Sequence, residues 1–217
     1  MTEALRRHTL VWLPTDHGWL AQSPALAVRL RAWFGAGHPA IVARRAPGMS
    51  AELLQLGVPL PPDEGKQRLS LSAPHASLLR CASLPALDAV TPVAPTAWQV
   101  ALRALQADAG RLGLMPRVFG ALAWQALTSL PYLHARSDVD LLWEIEELDQ
   151  ADTIAALLSR WETRFGLRAD GECRLPDGTA FSWREYASGS ARLLIKTDSD
   201  ARLVARSALA GDAQVAA

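Results

Sequence analysis

Two aspartates separated by one residue are the part of this sequence best suited to chemistry. Asp138 and Asp140 lie in the segment 137–142, whose other residues are mostly apolar. Because side chains alternate between the faces of a strand, both carboxylates are expected on one face, with α-carbons roughly 6–7 Å apart. Such carboxylates repel each other unless a cation lies between them, and Mg²⁺ accepts one or two carboxylates plus water and substrate phosphates. The pattern predicts a metal site for phosphoryl chemistry, with Asp138 and Asp140 as catalytic metal ligands.

A glycine turn precedes these acids. A strand over 114–119 is predicted to end at Gly120, and a helix over 121–130 follows at once. A glycine at such a turn lets phosphate oxygens approach backbone N–H groups and the positive end of the helix. Gly120 and Ala121 are therefore predicted to bind substrate through their backbone. An Asp-x-Asp pair alone has low specificity, since one acid can cap a turn while the other faces solvent, but the glycine turn favours a site.

The second half of the chain contains the elements that must position these residues. Thr96 is expected to cap a helix that carries apolar residues at helical spacing, and Asp149 is expected to open another. Apolar and alternating segments predict strands at 138–145, 170–175, 180–183 and 192–196. This order predicts an α+β (α/β) fold with a mixed sheet and helices on one side of it.

The first part of the chain alternates short elements. Ser23 is expected to cap a helix with Pro24 at its first position and Gly35 at its end. Strands are predicted at 9–13, 39–43 and 68–72, with a turn-rich stretch at 57–65. The proline-rich stretch 85–95 has no periodicity and is interpreted as a linker. The predicted domains are an N-terminal α/β domain, 1–90, and a catalytic domain, 91–217.

Composition excludes several classes of function. The 217 residues have a formal net charge of +0, so no chain-wide basic field is present to attract nucleic acid. No apolar run approaches the roughly 18–20 residues that cross a bilayer, and no signal peptide is recognisable. Cys81 and Cys173 are far apart and are interpreted as small packed residues. A cytoplasmic protein without nucleic-acid or membrane partners is expected.

Several phrases resemble known enzymes. Phe119-Gly120-Ala121 followed by Ser137-Asp138-Val139-Asp140 resembles the nucleotidyltransferase superfamily, which usually has serine where this chain has Ala121. The missing hydroxyl removes one expected phosphate contact. The sequence is more closely similar to the phosphoribosyl-dephospho-CoA transferases of malonate decarboxylase, its holo-acyl-carrier-protein synthases. The phrases that carry this similarity are those at 7–12, 65–69, 117–120, 122–125, 177–178 and 183–185.

The resemblance implies a specific reaction. A nucleotidyltransferase of the EC 2.7.7 type would transfer 2′-(5-triphosphoribosyl)-3′-dephospho-CoA to a serine of the apo acyl-carrier subunit of malonate decarboxylase. A phosphodiester would form, pyrophosphate would leave, and the prosthetic group would be attached with Mg²⁺ as cofactor. The C-terminal domain would then be nucleotidyltransferase-like.

The resemblance also suggests further site residues. A third carboxylate from a neighbouring strand often completes the metal site in such folds, and Glu172 is the candidate, with Asp170 as a close rival. A solvent-exposed acid at a strand end is the alternative for either. Lys66 and Arg68, in the phrase at 65–69, are candidates for binding substrate phosphates, while a solvated surface lysine is the alternative for Lys66.

Two other functions remain open at the level of sequence. The same scaffold can nucleotidylate a different protein or a small molecule, because fold does not determine the acceptor. A non-catalytic module that binds nucleotide or protein is a second alternative, favoured only by Ala121. Retention of Asp138 and Asp140 on an otherwise apolar strand argues against it.

Overall fold

A computed structural model describes residues 5–212 and confirms the predicted α+β class. The chain divides into two compact units. The first runs to Leu84 and adds Leu127–Tyr132 and Asp198–Asp200. The second comprises Pro85–Ala126, Leu133–Thr197 and the described residues from Ala201 onward. No helix within the described part of the chain is long and apolar enough to span a bilayer.

The first unit contains an antiparallel sheet and one longer helix. Among the described residues, the strands lie side by side in the order β2-β5-β4-β3-β1-β6. Buried apolar side chains on alternate positions of these strands form the core of the unit. The elements are β1 (Leu10–Trp12), β2 (Leu20–Ala21), α1 (Pro24–Gly35), β3 (Ala40–Val42), β4 (Leu53–Pro59), β5 (Arg68–Pro74) and β6 (Arg80–Ala82).

Helix α1 confirms the predicted capping. Ser23 is extended and its Oγ accepts a hydrogen bond from the N–H of Leu26 at 3.3 Å, while Pro24 occupies the first turn. The turn-rich interpretation of 57–65 is correct only in its second half. Strand β4 continues to Pro59 because Gly57 and Pro59 pair with β5, and a 3-10 turn follows at Pro62–Glu64.

The stretch 85–95, interpreted as a linker from its prolines, is an ordered part of the second unit. It forms α2 (Leu87–Val90) and a 3-10 turn at Thr91–Val93. Leu87 and Val90 are buried in the core of that unit. The prolines restrict the backbone locally, but the apolar side chains between them still pack, which sequence periodicity did not reveal.

The second unit contains a mixed sheet. Within the described residues its strands follow the order β12-β11-β10-β9-β8-β7, and only β8 and β9 pair in parallel. The elements after α2 are α3 (Thr96–Arg111), β7 (Arg117–Phe119), α4 (Gly120–Thr128), β8 (Val139–Glu144), α5 (Leu148–Phe165), β9 (Ala169–Arg174), β10 (Ala180–Ser182), α6 (Trp183–Ala187), β11 (Arg192–Lys196), β12 (Ala201–Ala205) and α7 (Arg206–Asp212).

Helix boundaries in this unit depart slightly from the predictions. Thr96 is the first residue of α3 and not its cap, because Pro95 occupies the cap position without a side-chain hydrogen bond. Helix α5 begins one residue before Asp149, where Glu147 and Gln150 form a reciprocal capping box. The long connection through α5 permits the parallel pairing of β8 with β9.

One face of the mixed sheet packs against helices. Val139, Leu141 and Trp143 of β8 belong to the buried cluster that includes Leu102 of α3 and Ile154 of α5. Since successive side chains alternate, the residues between these three on β8 face the opposite side of the sheet. That opposite side is therefore available to polar side chains.

Strands β8 and β9 approach each other unusually closely at Gly171. A Cβ added there would lie 1.8 Å from the carbonyl oxygen of Leu141, and the glycine has a φ of +134° that L-residues rarely adopt. Only glycine therefore fits at this position of the parallel pair.

Gly171→Ala is expected to lower the free energy of unfolding by about 3 kcal/mol or more, because the side chain forces apart two paired strands and strains the backbone. The matched control is Gly110→Ala, at an open position inside α3 where nothing lies within 4 Å of the added Cβ. Alanine there should raise stability by about 0.5–1 kcal/mol. Urea denaturation followed by tryptophan fluorescence measures both, and an unchanged midpoint for Gly171→Ala would contradict the packing argument.

Candidate active site

The two predicted catalytic aspartates lie at the start of β8. Asp140 is the second residue of the strand, between the core residues Val139 and Leu141, so its side chain is on the face opposite the helices. Asp138 directly precedes the strand and is half-buried. Its charge is close enough to Asp140 to raise the pKa of that carboxyl. The structure thus brings together the pair that the spacing predicted.

A third carboxylate comes from the neighbouring parallel strand. Asp170 of β9 is the direct register partner of Asp140, and its charge also raises the Asp140 pKa. Residues opposite each other in adjacent strands project from the same face. Asp170, the rival candidate from the sequence, therefore lies beside the aspartate pair. Glu172 lies two residues further along β9 and on the same face; Asp140, Asp170 and Glu172 together are called the acid face below.

Gly120 makes room for Asp140. Its φ is +64°, and a Cβ added to it would lie 1.8 Å from Oδ2 of Asp140. Phe119, the residue before the glycine, pairs with Asp140 across β7 and β8. The carboxylate therefore packs directly against the backbone of the strand-to-helix turn, where a side chain would exclude it.

The first turn of α4 donates to the same carboxylate. The backbone N–H of Ala121 forms a hydrogen bond to Asp140, which partly offsets the rise of its pKa. A helix N-terminus stabilises negative charge through its free N–H groups. The sequence predicted that Gly120 and Ala121 contact substrate phosphate, which stays a prediction; the Ala121 N–H donates to the Asp140 carboxylate.

Asp140 is destabilised as an anion. Burial raises its pKa most, followed by the charges of Asp170 and then Asp138, so that the pKa is about 7. A divalent cation placed among these oxygens would replace the lost hydration and cancel the repulsion. The site therefore fits a hard cation on the chemistry of its donors, all of which are carboxylates.

The described residues 5–212 contain no group of three or more His, Cys, Asp or Glu side chains arranged closely enough to hold a metal by themselves. This is consistent with Mg²⁺, which takes one or two protein carboxylates and completes its octahedral shell with water and substrate phosphates. A Mg²⁺ ion at Asp140 would therefore need water and substrate phosphates to complete its shell.

Arg168 forms an ion pair with Asp138 and was not anticipated from the sequence. Its Nε is 3.4 Å from Oδ2 of Asp138, and its side chain is 61% exposed. The carbonyl of the same residue accepts a hydrogen bond from the N–H of Val139. An exposed ion pair of this kind contributes little to stability. Little free energy is therefore lost when Arg168 leaves Asp138 to pair with another anion.

Glu172, the first choice for a third metal ligand, has a different partner. Its carboxylate is buried, and its Oε1 lies 2.7 Å from Nζ of Lys196. Asp170, and not Glu172, occupies the register position beside Asp140. Gly171, between Asp170 and Glu172, lies where the backbone of β8 leaves no room for a side chain on β9. A glycine inside a strand pattern is the sequence signal for such a close backbone approach.

Lys66 and Arg68 belong to the first unit, whereas the carboxylates belong to the second. Lys66 is exposed and has a φ of +57°, following Gly65, which is also left-handed. A left-handed conformation is uncommon for lysine and is found preferentially at binding sites. Arg68 is exposed at the start of β5, where it pairs with Pro59.

The raised pKa of Asp140 makes stability depend on pH. Its ordinary value is 3.8, so between about pH 4 and pH 7 the folded chain binds a proton that the unfolded chain has lost. Stability therefore falls across this range as pH rises, since the folded state must then carry a buried charge. Asp140→Asn removes the charge. In metal-free protein, the melting temperature of this variant relative to the original chain should increase from about pH 5 to about pH 8.

The control for this measurement is Asp63→Asn, which alters an exposed carboxylate in a 3-10 turn. Its melting-temperature difference should vary little over the same range. Scanning fluorimetry in EDTA provides the data for both variants. A difference for Asp140→Asn that is constant with pH would show that this carboxylate is not destabilised by its surroundings.

Comparisons with known proteins cover most of the described chain. Residues 6–84 match the phosphoribosyl-dephospho-CoA transferase MdcG N-terminal domain, and residues 82–207 match the C-terminal domain of the same enzyme. No solved structure matches the chain.

Named relatives extend this match over both domains. The phosphoribosyl-dephospho-CoA transferase of Xanthomonas euvesicatoria pv. vesicatoria is 53% identical over 203 residues, covering 94% of this chain and 95% of the relative. The protein of the same name from Bradyrhizobium diazoefficiens is 37% identical over 196 residues, covering 88% and 86%. That from Azotobacter vinelandii is 30% identical over 213 residues, covering 91% of each. The chain therefore belongs to the phosphoribosyl-dephospho-CoA transferase family.

Proposed function

We propose that this protein transfers 2′-(5-triphosphoribosyl)-3′-dephospho-CoA to a serine of the apo acyl-carrier subunit of malonate decarboxylase. The observation that carries the proposal is the buried carboxylate of Asp140, held by the Gly120 turn between Asp138 and Asp170. Family membership supports the transferred group. The carrier subunit as acceptor and the release of pyrophosphate come from the resemblance of the sequence phrases. We propose the cytoplasm as the location.

The proposed step is a displacement at phosphorus. The serine hydroxyl oxygen attacks the α-phosphorus of the triphosphate, and a new O–P bond forms. The bond from that phosphorus to the bridging oxygen of the β-phosphate breaks, and its electron pair leaves with pyrophosphate. The hydroxyl proton passes to water. The product is a phosphodiester between the carrier serine and the ribose of the prosthetic group.

We propose that Asp138 and Asp140 hold Mg²⁺ for this step, with Asp170 beside them and with water and substrate phosphates completing the shell of the ion. Asp170 replaces Glu172 as the third carboxylate because it is the register partner of Asp140 and Glu172 pairs with Lys196. When bound, Mg²⁺ supplies charge neutralisation on the phosphates and polarises the attacked phosphorus. The chain contributes the placement of the oxygens, since Gly120 and the Ala121 N–H orient Asp140 before substrate arrives.

Lys66 and Arg68 are proposed to bind phosphate groups of the substrate. The exposed, left-handed backbone at Lys66 supports a binding role, because strain of that kind is kept where a ligand uses it. A lysine acts on phosphate as a compact point charge, and an arginine can add bidentate contacts.

Asp140→Asn is expected to reduce prosthetic-group transfer by at least about 100-fold, because it removes a negatively charged ligand of the proposed metal ion. Asp170→Asn should cause a loss of similar size. The assay mixes protein, Mg²⁺, the triphosphoribosyl precursor and the apo carrier, and measures the added mass on the carrier by mass spectrometry. EDTA should abolish the mass gain, and excess Mg²⁺ should restore it.

The control variant is Asp108→Asn, which alters an acid in an exposed ion pair on α3 and should transfer at the original rate. A mass gain that survives in Asp140→Asn, or in EDTA, would reject the proposed metal site. If the carrier gains no mass with the precursor but gains an adenylate with ATP, the enzyme is a nucleotidyltransferase with another donor.

A further inference from the structure

A lysine lies on the acid face next to the proposed metal ligands. Lys196 is the last residue of β11, where Leu193 and Ile195 point into the core. Its side chain is therefore on the opposite side of the sheet, and its Nζ is 2.7 Å from Oε1 of Glu172. Glu172 and Asp170 are separated by one residue on β9, so their α-carbons are roughly 6–7 Å apart. The ammonium group thus contacts a carboxylate that lies two residues from Asp170 on the same face of β9.

The ion pair is poorly explained as a stabilising contact. The Glu172 side chain is 7% exposed and the Lys196 side chain is 29% exposed. Removing two charges from water costs several kcal/mol each, and well-packed apolar residues in place of a buried pair are often equally or more stable. A charged pair kept at this depth is better explained by a use for the lysine.

The ammonium group has spare hydrogen-bonding capacity. A lysine has three N–H donors, and the Glu172 carboxylate accepts one of them. The remaining exposed fraction of the side chain allows the other donors to reach a ligand. Lysine is also rare here: of the 22 cationic residues only Lys66 and Lys196 are lysines. A compact ammonium suits a phosphate oxygen, and Arg168 is the other cation paired at this site.

We propose that Lys196 binds the pyrophosphate portion of the substrate triphosphate, and that Glu172 is a positioning residue that holds its ammonium group in place. This inference rests on the proposed function. In this arrangement the Lys196 ammonium stabilises the negative charge that develops on the departing pyrophosphate. The sheet already holds this cation in place, so no reorganisation is needed when the bond breaks. Glu172 consequently belongs to the substrate site through Lys196 and not through a metal.

A charge-balanced variant tests the proposal. Lys196→Met alone leaves Glu172 buried without its partner, so folding is at risk. The double variant Glu172→Gln/Lys196→Met removes both charges and keeps the net charge of the face. It should unfold at about the same temperature as the original chain. The control is Arg192→Met, which removes an exposed cation at the other end of β11.

Binding of inorganic triphosphate with Mg²⁺, measured by calorimetry, is the first readout. The double variant should bind about 10- to 100-fold more weakly than the original chain, the loss expected for one charge-assisted contact. Arg192→Met should bind triphosphate with an affinity within about two-fold of that of the original chain, because solvent and salt screen an exposed charge that does not contact the ligand. Original affinity in the double variant would overturn the proposal, since the pair would then be structural only.

Carrier loading provides the second readout. The kcat/KM of the double variant for the precursor should be lower by a similar factor. Lys196→Arg, which keeps a cation at this position, should retain part of the original kcat/KM. If the original chain loads the carrier and the double variant loads it equally well, the inference fails while the proposed function stands. If the original chain binds Mg²⁺–triphosphate through Lys196 but loads no carrier, the proposed function fails and the inference stands.

Discussion

The contact between the Asp140 carboxylate and the backbone of Gly120 is the constraint on which the site depends. A Cβ on residue 120 would lie 1.8 Å from a carboxylate oxygen of Asp140. The residue between β7 and α4 must therefore be glycine, which also adopts the left-handed conformation of this turn. The same turn places the N–H of Ala121 on the carboxylate. Burial then raises the free energy of the anionic form, a cost that the proposed cation would offset.

The parallel pairing of β8 and β9 supplies the second half of the site. Antiparallel partners could be joined by a tight turn, but parallel strands need a crossover, which α5 provides in this chain. The capping box at Glu147 fixes where that helix starts. The register that results puts Asp170 beside Asp140, and Gly171 allows the strands to approach at that point. Packing of the core face thus determines the chemistry of the other face.

The sequence predicted the parts of the site that depend on local geometry. The two-residue period of a strand was enough to place Asp138 and Asp140 together, and the glycine turn was found by its position between a strand and a helix. The sequence favoured Glu172 over Asp170, but the residue that lies beside Asp140 is set by strand register, which depends on the whole sheet and not on β9 alone. The sequence also did not reveal that Gly120 makes room for Asp140, because the two residues are 20 positions apart along the chain.

Charge distribution explains how a chain of zero net charge can serve a polyanionic substrate. The acid face and Asp138 together carry four carboxylates, which would repel a triphosphate if they stood alone. Arg168 pairs with Asp138 and Lys196 pairs with Glu172, and the proposed divalent cation would offset the charge that remains on this face. In the proposed site, substrate phosphates would approach cations that acids already hold in position. Attraction is local to this face, so the rest of the surface needs no excess of positive charge.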